Sequence, residues 1–387
     1  MIKKVSIFSI SSSLHSEVAE NACDEPFINS VVAACPQYSF CFPEDFGSYG
    51  TSDIDLIYVR TGGTEGIFRA AFPALPDSPV RLLTSGDSNS LAASMEILSY
   101  IRQRGHRGEI LHGPAEMIAA KMKSDPDVAD VSCGIRTGAL KKFDGVRAGI
   151  VGRPSDWLIS SDVDPVDARE NLGVELVDIP ISELIDDVLA SGVDMRGFDG
   201  AEAIHRNLEN IVAKYSLSAV TVRCFDLLKP LGNTGCLALA RLNAAGIPAA
   251  CEGDVPALLS MMVARRETGL CGFQANPARI DPVSGEIVFA HCTVPLDMVS
   301  SLRYTTHFES GIGVAIKGEI PTGPVTILKI GPDARTRVCF KAELIGNLCE
   351  RNLCRTQIVV RCPEAVDYFL GSPIGNHHII VPGHIDI

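Results

Sequence analysis

The feature that most restricts the fold is a regular alternation of short apolar strands with helical patterns through about the first 300 residues. The segment 53–59 has the apolar composition of a strand and runs into a glycine-rich turn at 61–66. The segment 91–102 then carries apolar side chains at helical spacing. Alternating strands and helices imply a parallel sheet that is covered on both faces. The sequence therefore predicts an α/β protein.

The alternation restarts near residue 145 and ends near residue 300. A new strand is predicted at 146–152, at the start of a second series of strands and helices. After about residue 300, short strands follow one another with turns between them and no long helix, which is typical of a small antiparallel barrel or sandwich. We therefore predict an N-terminal α/β domain (1–145), a second α/β domain (146–300) and a β-rich C-terminal domain (301–387).

Composition and charge exclude several classes of function. Lys and Arg total 34 against 47 Asp and Glu, a net charge of −13, so we expect no nucleic-acid partner. No stretch approaches the ~20 apolar residues that cross a bilayer, and the N-terminal apolar run is too short for a signal peptide. The 13 cysteines contain no CxxC pair, which is typical of reduced and mostly buried thiols. We expect a cytoplasmic protein with no membrane partner.

Two segments in the middle of the chain carry candidate site residues. Glu252-Gly253-Asp254 joins an apolar strand to a helix, at the end of a parallel strand where open α/β sheets bind ligands. Glu252 is either a metal ligand or proton acceptor there, or a surface residue that makes helix N-cap contacts. His291 follows the strand at 286–290 and precedes a proline-bounded turn, so it is either a site residue or a structural histidine.

The C-terminal segment adds three histidines, of which His377 and His378 are adjacent and His384 follows. In an extended chain the two neighbours point in opposite directions, so only one of them can face a site. Two acids and two histidines are what a divalent ion of the Mn²⁺ type accepts. These residues are far apart along the chain and form no local HExxH-like motif, so their spacing alone does not predict a metal site.

Several motifs in order along the chain resemble the L-fucose isomerase and L-arabinose isomerase superfamily, and the resemblance covers most of the chain. They are Val59-Arg60-Thr61-Gly62-Gly63-Thr64-Glu65, Thr234-Gly235-Cys236, Cys251-Glu252-Gly253-Asp254-Val255-Pro256, Arg279-Ile280-Asp281-Pro282, His291-Cys292-Thr293-Val294-Pro295 and Gly375-Asn376-His377-His378. The resemblance implies two Rossmann-like parallel-sheet domains, then a small antiparallel β-barrel-like domain, in a homo-oligomer (trimer or hexamer).

The same resemblance implies a reaction and a metal. The reaction is aldose–ketose isomerisation of a sugar or sugar derivative through a cis-enediol(ate) intermediate, with Mn²⁺ or another divalent cation. By position, Glu252 matches the acid that is both metal ligand and base, and His377 matches the histidine ligand, with His378 as the alternative. His291 matches a histidine at the site in the arabinose branch.

The second acid of the family is where this sequence departs, because the matching position is Asn276. An amide oxygen can bind a hard cation or a substrate but cannot exchange a proton as a carboxylate does. Another group must then supply that role, with Asp254, Asp281 and His291 as candidates, or the chemistry has changed.

Four further residues are candidates for substrate binding. Arg355 offers paired donors to a carboxylate, sulfonate or phosphate, or else makes a structural salt bridge. Trp157, the only tryptophan, either stacks on a sugar or belongs to the core. His307 opens the β-rich segment, and Thr64 lies in a loop at a strand end that could supply N–H donors.

Three other functions are compatible with this organisation to different degrees. A non-catalytic sugar-binding or regulatory protein fits the substitution by Asn276, and an epimerase or aldolase would share the enediolate. A dinucleotide-dependent oxidoreductase is disfavoured, because no strand runs into GxGxxG with an acid about 20 residues later.

Overall fold

The computed structural model describes residues 2–12, 21–124 and 133–387. Within these ranges no helix combines the length and the apolar character that crossing a membrane requires.

The described strands are β1 (Lys3–Ile10), β2 (Tyr38–Cys41), β3 (Ile54–Val59), β4 (Val80–Leu83), β5 (Gly108–Leu111), β6 (Ile135–Thr137), β7 (Val146–Val151), β8 (Val174–Ile179), β9 (Ala219–Val222), β10 (Ala249–Cys251), β11 (Phe273–Asp281), β12 (Glu286–His291), β13 (Ser301–Thr305), β14 (Ala315–Glu319), β15 (Gly323–Ile330), β16 (Thr336–Asn347), β17 (Thr356–Arg361) and β18 (His378–Pro382). The described α-helices are α1 (Pro26–Ala34), α2 (Glu65–Ala71), α3 (Ser90–Gln103), α4 (Ala115–Lys123), α5 (Pro165–Asp167), α6 (Ile181–Ala190), α7 (Gly197–Lys214), α8 (Leu228–Leu231), α9 (Cys236–Ala244), α10 (Val255–Thr268) and α11 (Val366–Gly371).

The chain forms two compact units, each made of three segments. Unit 1 consists of Met1–Cys133, Pro277–Ile287 and Pro363–Asn376, and unit 2 of Gly134–Asn276, Val288–Cys362 and His377–Ile387.

Unit 1 is built on a five-stranded parallel sheet of order β2-β1-β3-β4-β5. Alternate side chains of β1, Val5 and Ile7, point to one face and pack against Ile28 of α1 and Ile118 of α4. Helix α3 packs against β3 and β5 and is buried along most of its length. The helical pattern at 91–102 thus corresponds to a helix that covers the parallel sheet.

Unit 2 contains a four-stranded parallel sheet of order β10-β9-β7-β8. Helices α6, α7 and α9 cover one of its faces. Helix α10 lies against strand residues such as Ala148 and Ala250, and also against Leu328 of β15 and Ile379 of β18. Because α10 packs against both the sheet and the later strands, its first ten residues (255–264) are all buried. This packing fixes the position of its N-terminus.

The later strands close into a six-stranded antiparallel barrel, in the order β15-β18-β11-β12-β17-β16 and back to β15. Strand β6 extends the sheet beside β16. Separately, β13 and β14 form a hairpin, whose connecting loop contains His307. The barrel uses β11 and β12, which precede residue 300.

The predicted fold class, parallel-sheet α/β domains with an antiparallel β-barrel, is confirmed by these sheets. The division into three domains with boundaries at residues 145 and 300 stays a prediction. The expectation of reduced, mostly buried cysteines agrees with the structure, where all 13 are free and eight of them are buried.

Candidate functional site

The turn between β10 and α10 has a backbone conformation that is uncommon for a residue with a side chain. Glu252 has φ of 65° and Gly253 has φ of 69°. The Gly253 N–H donates to Val222 O at 3.0 Å, and the Glu252 carbonyl accepts from Ser155 N at 3.0 Å. A Cβ on Gly253 would come within 2.4 Å of the Arg153 carbonyl oxygen. Non-glycine residues in the left-handed region are concentrated at functional sites, so this turn is a candidate site on backbone grounds alone.

Strand β11 holds the turn from one side. The side-chain amide of Gln274 accepts from Cys251 N at 2.8 Å and donates to Cys251 O at 3.4 Å. Asn276, two residues along the strand, lies on the same face of β11 as Gln274 and is buried. Because His378 pairs with Ala275 in antiparallel register, continuing the register by one residue puts His377 opposite Asn276.

Asp254 uses both carboxylate oxygens within the structure. Oδ1 accepts from Ala257 N at 2.7 Å and caps α10, while Oδ2 accepts from His377 Nδ1 at 2.8 Å. Burial would raise the pKa of this carboxyl, but the Lys329 ammonium and His377 lower it below its ordinary value. Lys329 is fully buried and donates to the His377 carbonyl at 2.8 Å. Asp254 therefore stays ionised and fixes the orientation of His377.

His377 lies between two carboxylates and is completely buried. Its Nδ1 donates to Asp254, because a carboxylate only accepts, and its Nε2 is 3.5 Å from Glu252 Oε1. Burial alone would lower the pKa of His377, but the charges of Glu252 and Asp254 raise it to about 10. The Nε2 atom is buried and has no hydrogen-bond partner among the described residues. At neutral pH this nitrogen carries a proton, which a bound metal ion would displace.

His291, at the end of β12, approaches the same carboxylate oxygen. Its Nε2 is 3.7 Å from Glu252 Oε1, and its Nδ1 is hydrogen-bonded to Thr293 Oγ1 at 2.8 Å. The His291 and His377 rings are 5.4 Å apart with an interplanar angle of 77°. Two imidazole nitrogens thus meet one carboxylate oxygen.

Glu252 is held by its second oxygen as well. Oε2 accepts from the Trp157 indole at 2.5 Å, and the side chain is 12% exposed. Burial would raise the pKa of Glu252, but His377 and His291 hold it well below its ordinary value. At neutral pH this side chain is a carboxylate.

Aromatic side chains form one wall beside Glu252. Trp157 packs edge-on against Phe225 at 4.8 Å, and Phe225 packs edge-on against His307 at 5.4 Å. Arg223 joins the two loops that carry these rings, bonding Asp156 Oδ2 at 2.8 Å and Asp226 Oδ2 at 3.0 Å. Burial lowers the pKa of His307 to about 4, against the attraction of Glu252. His307 is therefore a neutral imidazole at pH 7.

Arg355 lies next to this wall and is bound to the loop that carries His307. Its Nε donates to Thr306 O at 2.6 Å, and its Nη2 donates to Thr306 Oγ1 and His307 O, both at 3.3 Å. Its guanidinium also lies 5.7 Å from the Phe308 ring centroid. These bonds use Nε and Nη2, while Nη1 makes none to a described residue.

The donor set fits a divalent cation. Among the described residues, Cys251, Glu252 and His291 each offer a ligand atom, and these atoms lie within 4.8 Å of one another. The unpartnered Nε2 of His377 adds a fourth donor 3.5 Å from Glu252. A histidine whose other nitrogen donates to a carboxylate is the common arrangement of metal-binding histidines. Carboxylate and imidazole suit several divalent ions, and the thiol favours softer ones such as Zn²⁺.

The structure brings together most of the residues that the sequence singled out. Glu252, Asp254, His291, His377 and Trp157 are in direct contact in unit 2, and His307 and Asn276 belong to the same unit. The contacts with both acids are made by His377. The neighbouring His378 is buried on β18, opposite Ala275.

Two predicted residues belong to unit 1. Thr64 is buried there and donates to the Thr61 carbonyl at 2.9 Å, at the start of α2. Asp281 ends β11 and accepts from Ser284, which lowers the pKa of its carboxyl. The roles assigned to these two residues stay predictions.

Sequence reasoning missed four residues of the site. Cys251 and Lys329 carry chemical groups, and Gln274 and Thr293 position others. Lys329 had a signal, because a lysine within the apolar strand β15 is expected to have a buried polar partner. Cys251 precedes Glu252 directly, but a cysteine that ends an apolar strand looks like any buried thiol.

Two curated proteins are similar to part of this chain, and no family model matches it. Sulfoquinovose isomerase of Clostridium sp. (strain MSTE9) is 28% identical over 177 residues, which are 43% of this chain and 39% of that protein. Sulfoquinovose isomerase of Alkalicoccus urumqiensis is 26% identical over 148 residues, which are 36% of this chain and 33% of that protein. The matches span less than two fifths of the length of these curated relatives. The likeness to the wider fucose and arabinose isomerase superfamily stays a prediction.

Proposed function

We propose that this chain is a metal-dependent sugar isomerase that interconverts an aldose and a ketose. The observation that carries the proposal is the meeting of His291 Nε2 and His377 Nε2 at one oxygen of Glu252, at 3.7 and 3.5 Å. The names of the two partial relatives favour the same chemistry. The superfamily resemblance in the sequence supports it independently.

Glu252 is the proposed base. Isomerisation removes the proton on the carbon next to the carbonyl and returns it to the neighbouring carbon, through a cis-enediolate. An ionised carboxylate with Oε2 held by Trp157 can perform both transfers, if Oε1, which faces the two histidines, reaches both carbons. Asp254 is unsuited to this work because it is fully buried and both its oxygens are occupied, so we assign it to the positioning of His377.

Glu252, His377 and His291 would hold the cation, with Asn276 as a further oxygen donor. A divalent cation supplies Lewis-acid polarisation of the substrate carbonyl. We propose Mn²⁺ as the ion, because the superfamily resemblance implies it and because carboxylate oxygens are suitable ligands for it. The neutral His307 imidazole, with an accepting and a donating nitrogen, is the proposed partner of a substrate hydroxyl.

The proposed substrate class is a sugar that carries a sulfonate. The two partial relatives are named for sulfoquinovose, a sulfonated sugar. Arg355 lies beside the His307 loop with Nη1 not engaged by a described residue, and a guanidinium suits a sulfonate. A trimeric or hexameric assembly, expected from the resemblance, is part of the same proposal.

The test is isomerisation of sulfoquinovose and of unsubstituted aldoses by metal-free protein, with and without added Mn²⁺, followed by NMR in D₂O. We expect Mn²⁺-dependent ketose formation with deuterium at the exchanged carbon, and a loss of about 10²–10⁴-fold in Glu252→Gln. The matched control is Glu116→Gln, an exposed acid of α4, which should turn over like wild type.

Each alternative outcome has a distinct meaning. Deuterium exchange without ketose would indicate an epimerase, and cleavage products would indicate an aldolase. Sugar binding without exchange would indicate a binding protein. Equal turnover by wild type and Glu252→Gln would remove Glu252 from proton transfer.

A further inference from the structure

Five buried cysteines surround the turn that carries Glu252, and the proposed isomerisation needs none of them. They belong to unit 2 and are 2–6% exposed: Cys224, Cys236, Cys251, Cys292 and Cys354. Two pairs stand out within this group. Cys224 is hydrogen-bonded to Cys251, and the thiols of Cys292 and Cys354 interact with each other.

The Cys224 and Cys251 thiols are in direct contact. The two Sγ atoms are 2.9 Å apart, about 0.9 Å longer than a disulfide bond. Cys251 ends β10, and its pairing partner on β9 is Val222, two residues before Cys224. The two thiols can therefore be joined by a small side-chain movement.

We propose that Cys224 and Cys251 form a reversible disulfide when the protein meets a peroxide. One thiol attacks the peroxide oxygen, the O–O bond breaks, and a sulfenic acid and water are formed. The second thiol then attacks the sulfenic sulfur, forming the S–S bond and releasing a second water. Two thiols lose two hydrogens and two electrons, and one hydrogen peroxide becomes two waters. A dithiol reductant restores both thiols by exchange.

The disulfide would act on the site through Cys251. This residue is bonded to Glu252, and its thiol is one of the three ligand atoms gathered within 4.8 Å. Gln274 holds the Cys251 N–H and carbonyl, so closing the bond moves the Cys251 thiol, which lies beside the other two ligand atoms. Small misplacements of a catalytic group are costly, so we expect activity to fall about ten- to a hundredfold. This consequence rests on the proposed function, whereas disulfide formation does not.

The experiment treats the full chain with hydrogen peroxide, blocks the remaining thiols under denaturing conditions and maps tryptic peptides by mass spectrometry. Cleavage after Arg223, Arg241 and Arg265 separates residues 224–241, with Cys224 and Cys236, from residues 242–265, with Cys251. The expected product is a cross-link between these peptides, lighter by two hydrogens and removed by dithiothreitol. Fragmentation assigns the bond to Cys224, and exposed Cys23 reports the peroxide dose.

Two variants make the test specific. Cys224→Ala should lose the cross-link and keep its activity after peroxide, whereas Cys236→Ala, a buried neighbour in the same peptide, should keep the cross-link. The proposal is overturned if both thiols are still alkylated at a dose that oxidises Cys23, or if Cys251 pairs with Cys236 instead. A mapped Cys224–Cys251 bond without measurable isomerisation would leave the disulfide established and contradict the proposed function.

Discussion

His112 in unit 1 and His377 in unit 2 are both buried, but they have opposite electrostatic surroundings. His112 follows β5 and satisfies both ring nitrogens with backbone groups. Its Nδ1 is 2.9 Å from Thr84 O and its Nε2 accepts from Ile280 N at 3.1 Å. Burial lowers its pKa, so it is a neutral imidazole with one donor and one acceptor in use.

His377 shows the opposite arrangement. Its Nδ1 is bonded to the Asp254 carboxylate, and its Nε2 faces Glu252 without a hydrogen bond. Its pKa is raised to about 10, against the effect of burial. Burial therefore does not separate a structural histidine from a functional one. The difference is in the partners: neutral backbone groups on both nitrogens complete a core residue, whereas a carboxylate on one nitrogen prepares the other for a ligand.

The largest expected effect is a difference in Mn²⁺ affinity between variants of the two histidines. His377→Gln should weaken Mn²⁺ binding more than about 100-fold, because changes to residues behind the ligands already cost 10–100-fold. His112→Gln should bind Mn²⁺ like wild type. Calorimetric titration of metal-free protein measures both, and equal losses in the two variants would contradict the distinction drawn here.

The next effect tests whether Asp254 acts through His377. Asp254→Asn should lower Mn²⁺ affinity about 10–100-fold, because an amide oxygen holds His377 Nδ1 less strongly. Asparagine is as good an N-cap as aspartate, so the cap of α10 is kept, but the buried Lys329 ammonium loses its counter-charge and the melting temperature should fall. Unchanged Mn²⁺ affinity in a variant that still folds would show that the residue serves the fold instead.

A smaller effect is expected when the donor on the other side of Glu252 is removed. Trp157→Phe keeps a ring against Phe225 but deletes the N–H that holds Glu252 Oε2. A hydrogen bond to a charged group is worth about 1.5–3 kcal/mol, and the lower end of this range corresponds to the fall of about tenfold in kcat that we expect. Unchanged kcat with a raised KM would instead assign Trp157 to substrate binding.

The smallest effect concerns His112 and acid. Its folded pKa is below the unfolded value of about 6.5, so its contribution to stability is complete above that pH. As pH falls below about 6.5 the unfolded chain takes up the proton first, and the contribution is lost towards the folded pKa. His112→Gln should therefore be less stable than wild type at pH 7, with the difference narrowing in acid. Urea unfolding at a series of pH values measures the difference in the free energy of unfolding between the two proteins, and a pH-independent difference would contradict a neutral His112.

Two charged groups also act on His112: Arg279 lowers its pKa and Asp87 raises it.

Local patterns were sufficient for the secondary structure near the site. The apolar run before Glu252, the turn and the proline near the start of the next helix predicted β10 and α10, which are observed at Ala249–Cys251 and Val255–Thr268. Strands β14 to β17 were also visible, because short apolar runs between turns are contiguous in sequence, whereas β18 was not predicted. The prediction of the barrel was less complete, because two of its strands, β11 and β12, lie before residue 300 in the sequence.

Periodicity and turn residues within short windows were therefore enough to predict the α/β class, the barrel-like segment and the position of Glu252 at a strand end. Which histidine meets that acid, and that Asp254, Lys329 and Trp157 hold the pair in place, depends on the folded chain. In the closed barrel β18 and β12 both pair with β11, which carries His377 and His291 to one carboxylate across long separations in sequence. Pairing between distant strands is a property of the whole barrel and leaves no mark in the spacing of those residues along the chain.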